Sequence, residues 1–252
     1  MKKRAPKEAL FCYNTYIMFG IFTGVLANAG LVIAGSLVGI IFIKVNALKR
    51  MGERIFQAFA IFVAVMGIKG MDFSHPLYYL ICLIVGIIIG EALDIDKQFT
   101  RLGDFLQSKF ARNAVSSFSK GFVEASLLFC IGSMTFLGAL ESGIEGEHTI
   151  YITKGILDCV SSVTLSMVYG IGVAFSALSV LVYQGLLTIG ASALAPVLTD
   201  ETVAMCVSVG SLSLVFIGTN MLKITHMKVA NLLPAMFIPM VWQAISLLIA
   251  GK

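Results

Sequence analysis

From Tyr16 to Ile43 the chain carries no charged side chain, and from Cys159 to Thr199 it carries none again. Runs of this kind constrain the fold more than any motif. A segment of roughly 20 mostly apolar residues matches the hydrocarbon core of a bilayer, about 30 Å thick. In lipid, backbone polar groups must be satisfied within the chain, as a helix does. Across 252 residues, 58% are hydrophobic and 13% charged, with a mean hydropathy of +0.93. That leaves too little polar material to cover a soluble globule.

The expected fold is all-α: a polytopic transmembrane helical bundle of about eight spans in one integral membrane domain, 1–252. The spans fall near 17–43, 55–70, 76–93, 121–140, 150–168, 170–189, 202–222 and 228–249. The second has a short uncharged core, Ile55 to Ile68, and a re-entrant loop is its rival reading. The run Cys159–Thr199 is too long for one crossing and must turn near Tyr169, Gly170 and Gly172, making a tight hairpin.

Lys and Arg in short loops set orientation. With both termini outside, the cytoplasmic segments hold eleven of the eighteen basic residues, among them Lys49, Arg54, Lys97, Arg101, Lys120, Lys223 and Lys228. The opposite loops carry Glu141, Glu145, Glu147, Asp200 and Glu201. The basic leader, 1–17, conflicts with this topology: a start at Met18 removes it, whereas a cytoplasmic leader implies an odd number of spans or the inverted orientation. Between the third and fourth spans, 94–120 places Ile95, Phe99, Leu102, Phe105, Leu106 and Phe110 at helical spacing. This describes an amphipathic helix on the cytoplasmic interface, or a helix capping the bundle. The basic residues lack the aromatic interleaving of a nucleic-acid platform, and no nucleic-acid partner is expected.

Gly24-Val-Leu-Ala-Asn28-Ala can be laid over Gly172-Val-Ala-Phe-Ser176-Ala, and Met66-Gly67-Ile68 over Ile217-Gly218-Thr219. The helices concerned run in opposite directions, the arrangement of an inverted repeat in secondary transporters. Gly-rich apolar helices also align by chance, and both readings stand.

No Walker A loop, GxGxxG turn, HExxH or GxSxG elbow is present, so no enzyme activity is expected. His75, His148 and His226 lie apart in connections, and Cys12, Cys82, Cys130, Cys159 and Cys206 lack CxxC spacing; neither a metal site nor a cofactor is expected. Chemistry is sought in polar groups inside apolar helices, because an ionisable group at the bilayer centre costs about 2.5–3.5 kcal/mol and needs a partner or water. Asp158, near the middle of the fifth span with Ser161 and Ser162 after it, is the best case; neutralisation by Lys154 one turn earlier is the structural alternative. Asn28 between Gly24 and Gly30, and Asn231 one turn before Pro234, complete the expected midplane site. Glu91, Glu124, Gln184 and Asn220 are candidate lining or gate residues.

The ordered segments Gly86-Ile-Ile-Ile-Gly90-Glu91-Ala-Leu-Asp94-Ile-Asp96, Gly121-Phe-Val-Glu124-Ala-Ser, Gly138-Ala-Leu, Lys154-Gly-Ile-Leu-Asp158-Cys-Val-Ser161-Ser162 and Asn231-Leu-Leu-Pro234-Ala resemble the YqgA/YdfK-like bacterial inner-membrane proteins, a domain-of-unknown-function family. The resemblance covers nearly the whole chain from Gly20. It implies a multi-span protein of the bacterial cytoplasmic (inner) membrane, brings no substrate or site residues with it, and places the family start near Met18. The expected function is a transporter or channel for an ion or small solute, in contact with membrane lipid and open to homo-oligomer formation through its Gly-rich faces. The alternative is a non-transporting scaffold or sensor that binds a partner through the interfacial helix.

Overall fold

A computed structural model describes residues 7–43, 46–110 and 117–250. Among these the chain is helical with no strand. The helices are α1 (Lys7–Ile43), α2 (Asn46–Lys69), α3 (Pro76–Leu93), α4 (Ile95–Phe110), α5 (Phe118–Cys130), α6 (Ser133–Leu140), α7 (Thr149–Tyr169), α8 (Gly172–Ile189), α9 (Ala191–Leu194), α10 (Asp200–Met221) and α11 (Ile238–Ala250). A π-helical turn, Glu141–Glu145, follows α6, and a 3₁₀ segment, Val229–Phe237, leads into α11. Among the described residues, six helices are long and apolar enough to cross a membrane, or seven if the bent α5–α6 unit is one crossing.

Several boundaries differ from those expected, for local reasons. Residues 1–6 of the leader lie outside the described residues, and 7–17 continue α1 without a break. Met51–Lys69, at 19 residues, is long enough to cross, so the second segment does not require a re-entrant loop. The fourth expected helix, 121–140, is two helices bent by 61°. The break sits where Ile131 is extended and Gly132 takes φ 133°, a conformation glycine adopts without a Cβ clash. Of the interfacial segment 94–120, α4 ends at Phe110, and 111–116 lie outside the described residues. The turn expected within Cys159–Thr199 is at Gly170, φ 70°. The eighth segment starts as 3₁₀ around Pro234, whose missing N–H cannot support an α-helical interior.

Glycines set the helix pairings, because in lipid close backbone approach replaces hydrophobic exclusion as the source of helix association. A Cβ on Gly35 or Gly39 of α1 would strike the carbonyls of Cys159 and Val163 in α7. The numbers rise together, so these helices are parallel; the tight hairpin then sets α8 antiparallel to α1. Gly67 of α2 meets Ser211 and Val215, while Gly218 of α10 meets Ala60 and Ala64. Here the numbers run oppositely and the pair is antiparallel. Gly86 and Gly90 of α3 back onto Ala235 and Asn231 in the same antiparallel sense. α5 lies parallel to α8, with Gly172 against the Phe118 carbonyl and Ser126 donating to Ser179 at 2.8 Å.

Phe122, Phe129 and Phe136 are fully buried and put α5–α6 at the centre. Ile81, Ile84 and Ile88 of α3 and Trp242 and Leu248 of α11 are exposed, as peripheral helices facing lipid require. α4 packs Gly103 against Ser119 and Phe122 of α5 and ties Asp104 to the Ser119 hydroxyl. Leu102, Phe105 and Phe110 of α4 stay exposed.

Candidate functional site

Lys154, Asp158, Ser162 and Ser166 recur every fourth residue of α7, so a 3.6-residue turn stacks them on one face. All four are buried. Lys154 Nζ lies 2.5 Å from Asp158 Oδ2. Asp158 is roughly 13 Å from the start of the helix at 1.5 Å per residue, near its middle. Opposite charges one turn apart neutralise one another, which lets the pair sit where either charge alone would be expelled.

Asn28 of α1 and Gln184 of α8 close on the same region. Asn28 Nδ2 donates to Gln184 Oε1 at 3.2 Å, and both side chains are fully buried. Asn28 packs on Gly155 and is a polar neighbour of Asp158. Asn28 Oδ1, Gln184 Nε2, Ser162 Oγ and Ser166 Oγ make no hydrogen bond to a protein group. Cys130, the last residue of α5 before the break, is within electrostatic reach of both Lys154 and Asp158. A broken helix presents the negative end of one half-helix and the positive end of the next. Toward the Glu141 end, Tyr151 donates to the Thr135 carbonyl at 3.1 Å and lies 3.4 Å from the Thr188 hydroxyl. Glu141 Oε2 caps α7 by accepting the Ile150 N–H at 2.8 Å.

At the other end, the stripe reaches Tyr169, whose hydroxyl neighbours the Glu124 carboxylate. Lys120 is 3.6 Å from Glu124 Oε1. Glu124 forms part of the wall of a 340 Å³ cavity, together with Asp96, Lys120, Asn220, Lys223 and His226. Burial pushes the Asp96 carboxyl above the ordinary carboxylate range, against the Ala230 amide and Lys228, which favour its charge. Asn220 closes the loop after α10: its Oδ1 accepts from the Thr225 hydroxyl at 2.6 Å and the Met227 N–H at 3.1 Å. That loop holds Lys223 at φ 60°.

The five residues expected to share one midplane site do not converge. Asn28, Asp158 and Ser162 come together, joined by Gln184, which the sequence had placed only among lining residues. Ser161 lies on another face of α7, half-exposed and bonded to the Leu157 carbonyl of its own helix. Asn231 serves the α3–α4 junction: its Oδ1 accepts the Asp96 N–H at 2.7 Å and its Nδ2 donates to Glu91 Oε1 at 2.8 Å. Glu91 and Lys228 are 3.9 Å apart at the same corner. Sequence reasoning missed Ser166 and Tyr169; the four-residue period that starts at Lys154 is the signal that finds Ser166.

Residues 23–244 match the family described as "Protein of unknown function (DUF554)". The chain is 29% identical to "Uncharacterized membrane protein YdfK" of Bacillus subtilis (strain 168) over 221 residues, 86% of this chain and 93% of that protein. It is 28% identical to "Uncharacterized protein YqgA" of Escherichia coli (strain K12) over 161 residues, 62% of this chain and 68% of that protein. No solved structure matches the chain.

Proposed function

The chain belongs to the DUF554 family, and from that premise we propose that it is a multi-pass transporter or channel of the bacterial cytoplasmic membrane, moving an ion or small solute past the Lys154–Asp158 pair. One observation carries the reading: a fully matched but buried charge pair at mid-helix, beside two buried amides and a broken helix. Polar groups at membrane depth with a discontinuous helix next to them are the usual form of a transport site. The whole chain is one membrane domain of eight crossings, α7 and α5–α6 added to the six apolar ones, with the Lys-rich end cytoplasmic.

We read the architecture as an inverted repeat in which α1–α2–α3 corresponds to α8–α10–α11. Each helix lies antiparallel to its counterpart. The crossing of α2 and α10 is reciprocal: Gly67 meets the residues three and seven before Gly218, and Gly218 meets those three and seven before Gly67.

A second reading, a non-transporting scaffold, is favoured by one feature: α4 leaves Leu102, Phe105 and Phe110 exposed for a partner. Proteoliposomes on a solid-supported membrane separate the two. Jumps in proton, sodium, potassium or acetate concentration are expected to give protein-dependent currents, and Asp158→Asn should abolish them. Currents equal to those of empty liposomes, or unchanged by Asp158→Asn in folded protein, overturn the transport reading.

A further inference from the structure

Next to the polar cavity beside Glu124 is a second one of 450 Å³, walled by Phe99, Leu127, Cys130, Ser179, Val182 and Leu233, among others. Both volumes fall within the ~300–1,000 Å³ range of small-molecule sites. Leu127 lines both. Three elements pass from one cavity into the other. On α4, Asp96 and Thr100 face the first and Phe99 and Leu102 the second; on α5, Lys120 and Glu124 give way to Leu127 and Cys130; after α10, Val229 gives way to Leu233 and Phe237. On α5 and the 3₁₀ segment the order follows depth, from the helix end inward. The composite is charged at the membrane surface and apolar toward the interior.

We propose that these two cavities are one binding site for a membrane phospholipid with an amine headgroup, entering from the Lys-rich leaflet. Its acyl chain lies against Phe99, Leu102 and Leu233. The charge pattern of the polar part selects the head. Lys223 has no carboxylate within ion-pairing distance among the described residues, and with Lys120 and His226 it suits a phosphate. Glu124 Oε2 is shielded from solvent and takes no hydrogen bond from the protein, and with Asp96 it suits a primary ammonium. A purely anionic head would meet both carboxylates, and a quaternary amine could not donate a hydrogen bond to them. The site is independent of whether the protein transports anything.

The test uses the full chain in detergent micelles and phosphatidylethanolamine carrying a diazirine near the end of one acyl chain, with crosslinks mapped by peptide mass spectrometry. Crosslinks are expected at Leu127, Val182 and Leu233, competed by unlabelled phosphatidylethanolamine but not by equal phosphatidylcholine or by soluble glycerophosphoethanolamine. Lys223→Gln and Glu124→Gln should each weaken competition about fivefold, the order expected for one lost charge contact at the membrane surface. Ser179→Trp, which fills the apolar part, should remove the crosslinks while the protein remains monodisperse. Crosslinks spread evenly over Ile84 and Ile88 of α3 and indifferent to these variants overturn the site. Equal competition by glycerophosphoethanolamine overturns the lipid assignment.

Discussion

A buried ion pair is read most clearly by removing one partner and then both. Asp158→Leu leaves the buried Lys154 ammonium without its counter-charge, and should destabilise the protein by about 3–5 kcal/mol. Lys154→Met with Asp158→Leu should recover most of that loss, measured by denaturant unfolding in micelles; a double variant no more stable than the single one would mean that the pair is not the unit assumed. Asn231 calls for a different measurement. Asn231→Ala removes the acceptor for the Asp96 N–H and the donor to Glu91, each worth roughly 1–3 kcal/mol where burial leaves the partner unsatisfied. Hydrogen exchange at Asp96 should accelerate while exchange in α7 is unchanged. Lys154 and Asp158 were legible in the sequence because their relation is local. Asn231 was not, because its partners lie 135 and 140 positions away. Ser161 and Ser162 differ only in which face of α7 they occupy, and the period counted from Lys154 to Ser166 separates them.

Among the elements, the glycines sort into those a side chain would destroy and those it would not. Gly35→Val and Gly90→Val drive a Cβ into a facing backbone carbonyl, on Cys159 and Asn231 respectively; each should lower the melting temperature sharply or prevent accumulation in the membrane. Gly30→Ala, with nothing within 4 Å of the added carbon, should leave both unchanged, and a loss at Gly30 as large as at Gly35 would contradict the pairing of α1 with α7. Gly35/Gly39 and Gly86/Gly90 have the small-xxx-small spacing of helix contacts, but that spacing does not say which helix each pair meets. The break after α5 was hidden because 121–140 is uncharged throughout its second half, and the feature that bends it is the backbone of a single glycine. Gly132→Ala must place a Cβ at φ 133° and should straighten or destabilise the α5–α6 unit. A spin-label distance between α5 and α6 that lengthens in the variant would show it.

For the molecule as a whole, hydropathy alone was enough for an all-helical, lipid-embedded chain, because apolar runs and bilayer thickness are matched by length. Hydropathy could not arrange the helices, since lipid-facing and protein-facing apolar residues look alike in sequence. Leu186 and Leu187 are neighbours in the same apolar helix, yet one is exposed and the other buried. α7 holds Lys154, Asp158, Ser161, Ser162, Thr164 and Ser166, so the helix central to the proposed site is more polar than the six stretches apolar enough to cross a membrane. Asn28, Lys154, Asp158 and Gln184 are buried while the large apolar side chains of α3 and α11 face outward, as a lipid-embedded bundle requires.

The decisive distinction between a transport site and a dry structural pair is water access to α7. In a chain with its cysteines replaced by serine or alanine, a cysteine at Ser162 can be challenged with a membrane-impermeant methanethiosulfonate from each face of oriented vesicles. Transport predicts modification from at least one face, slower than at an exposed control such as Glu53→Cys and faster once Lys154 and Asp158 are both neutralised. Complete protection from both faces, with the control fully labelled, would contradict the account and leave the pair as structure alone.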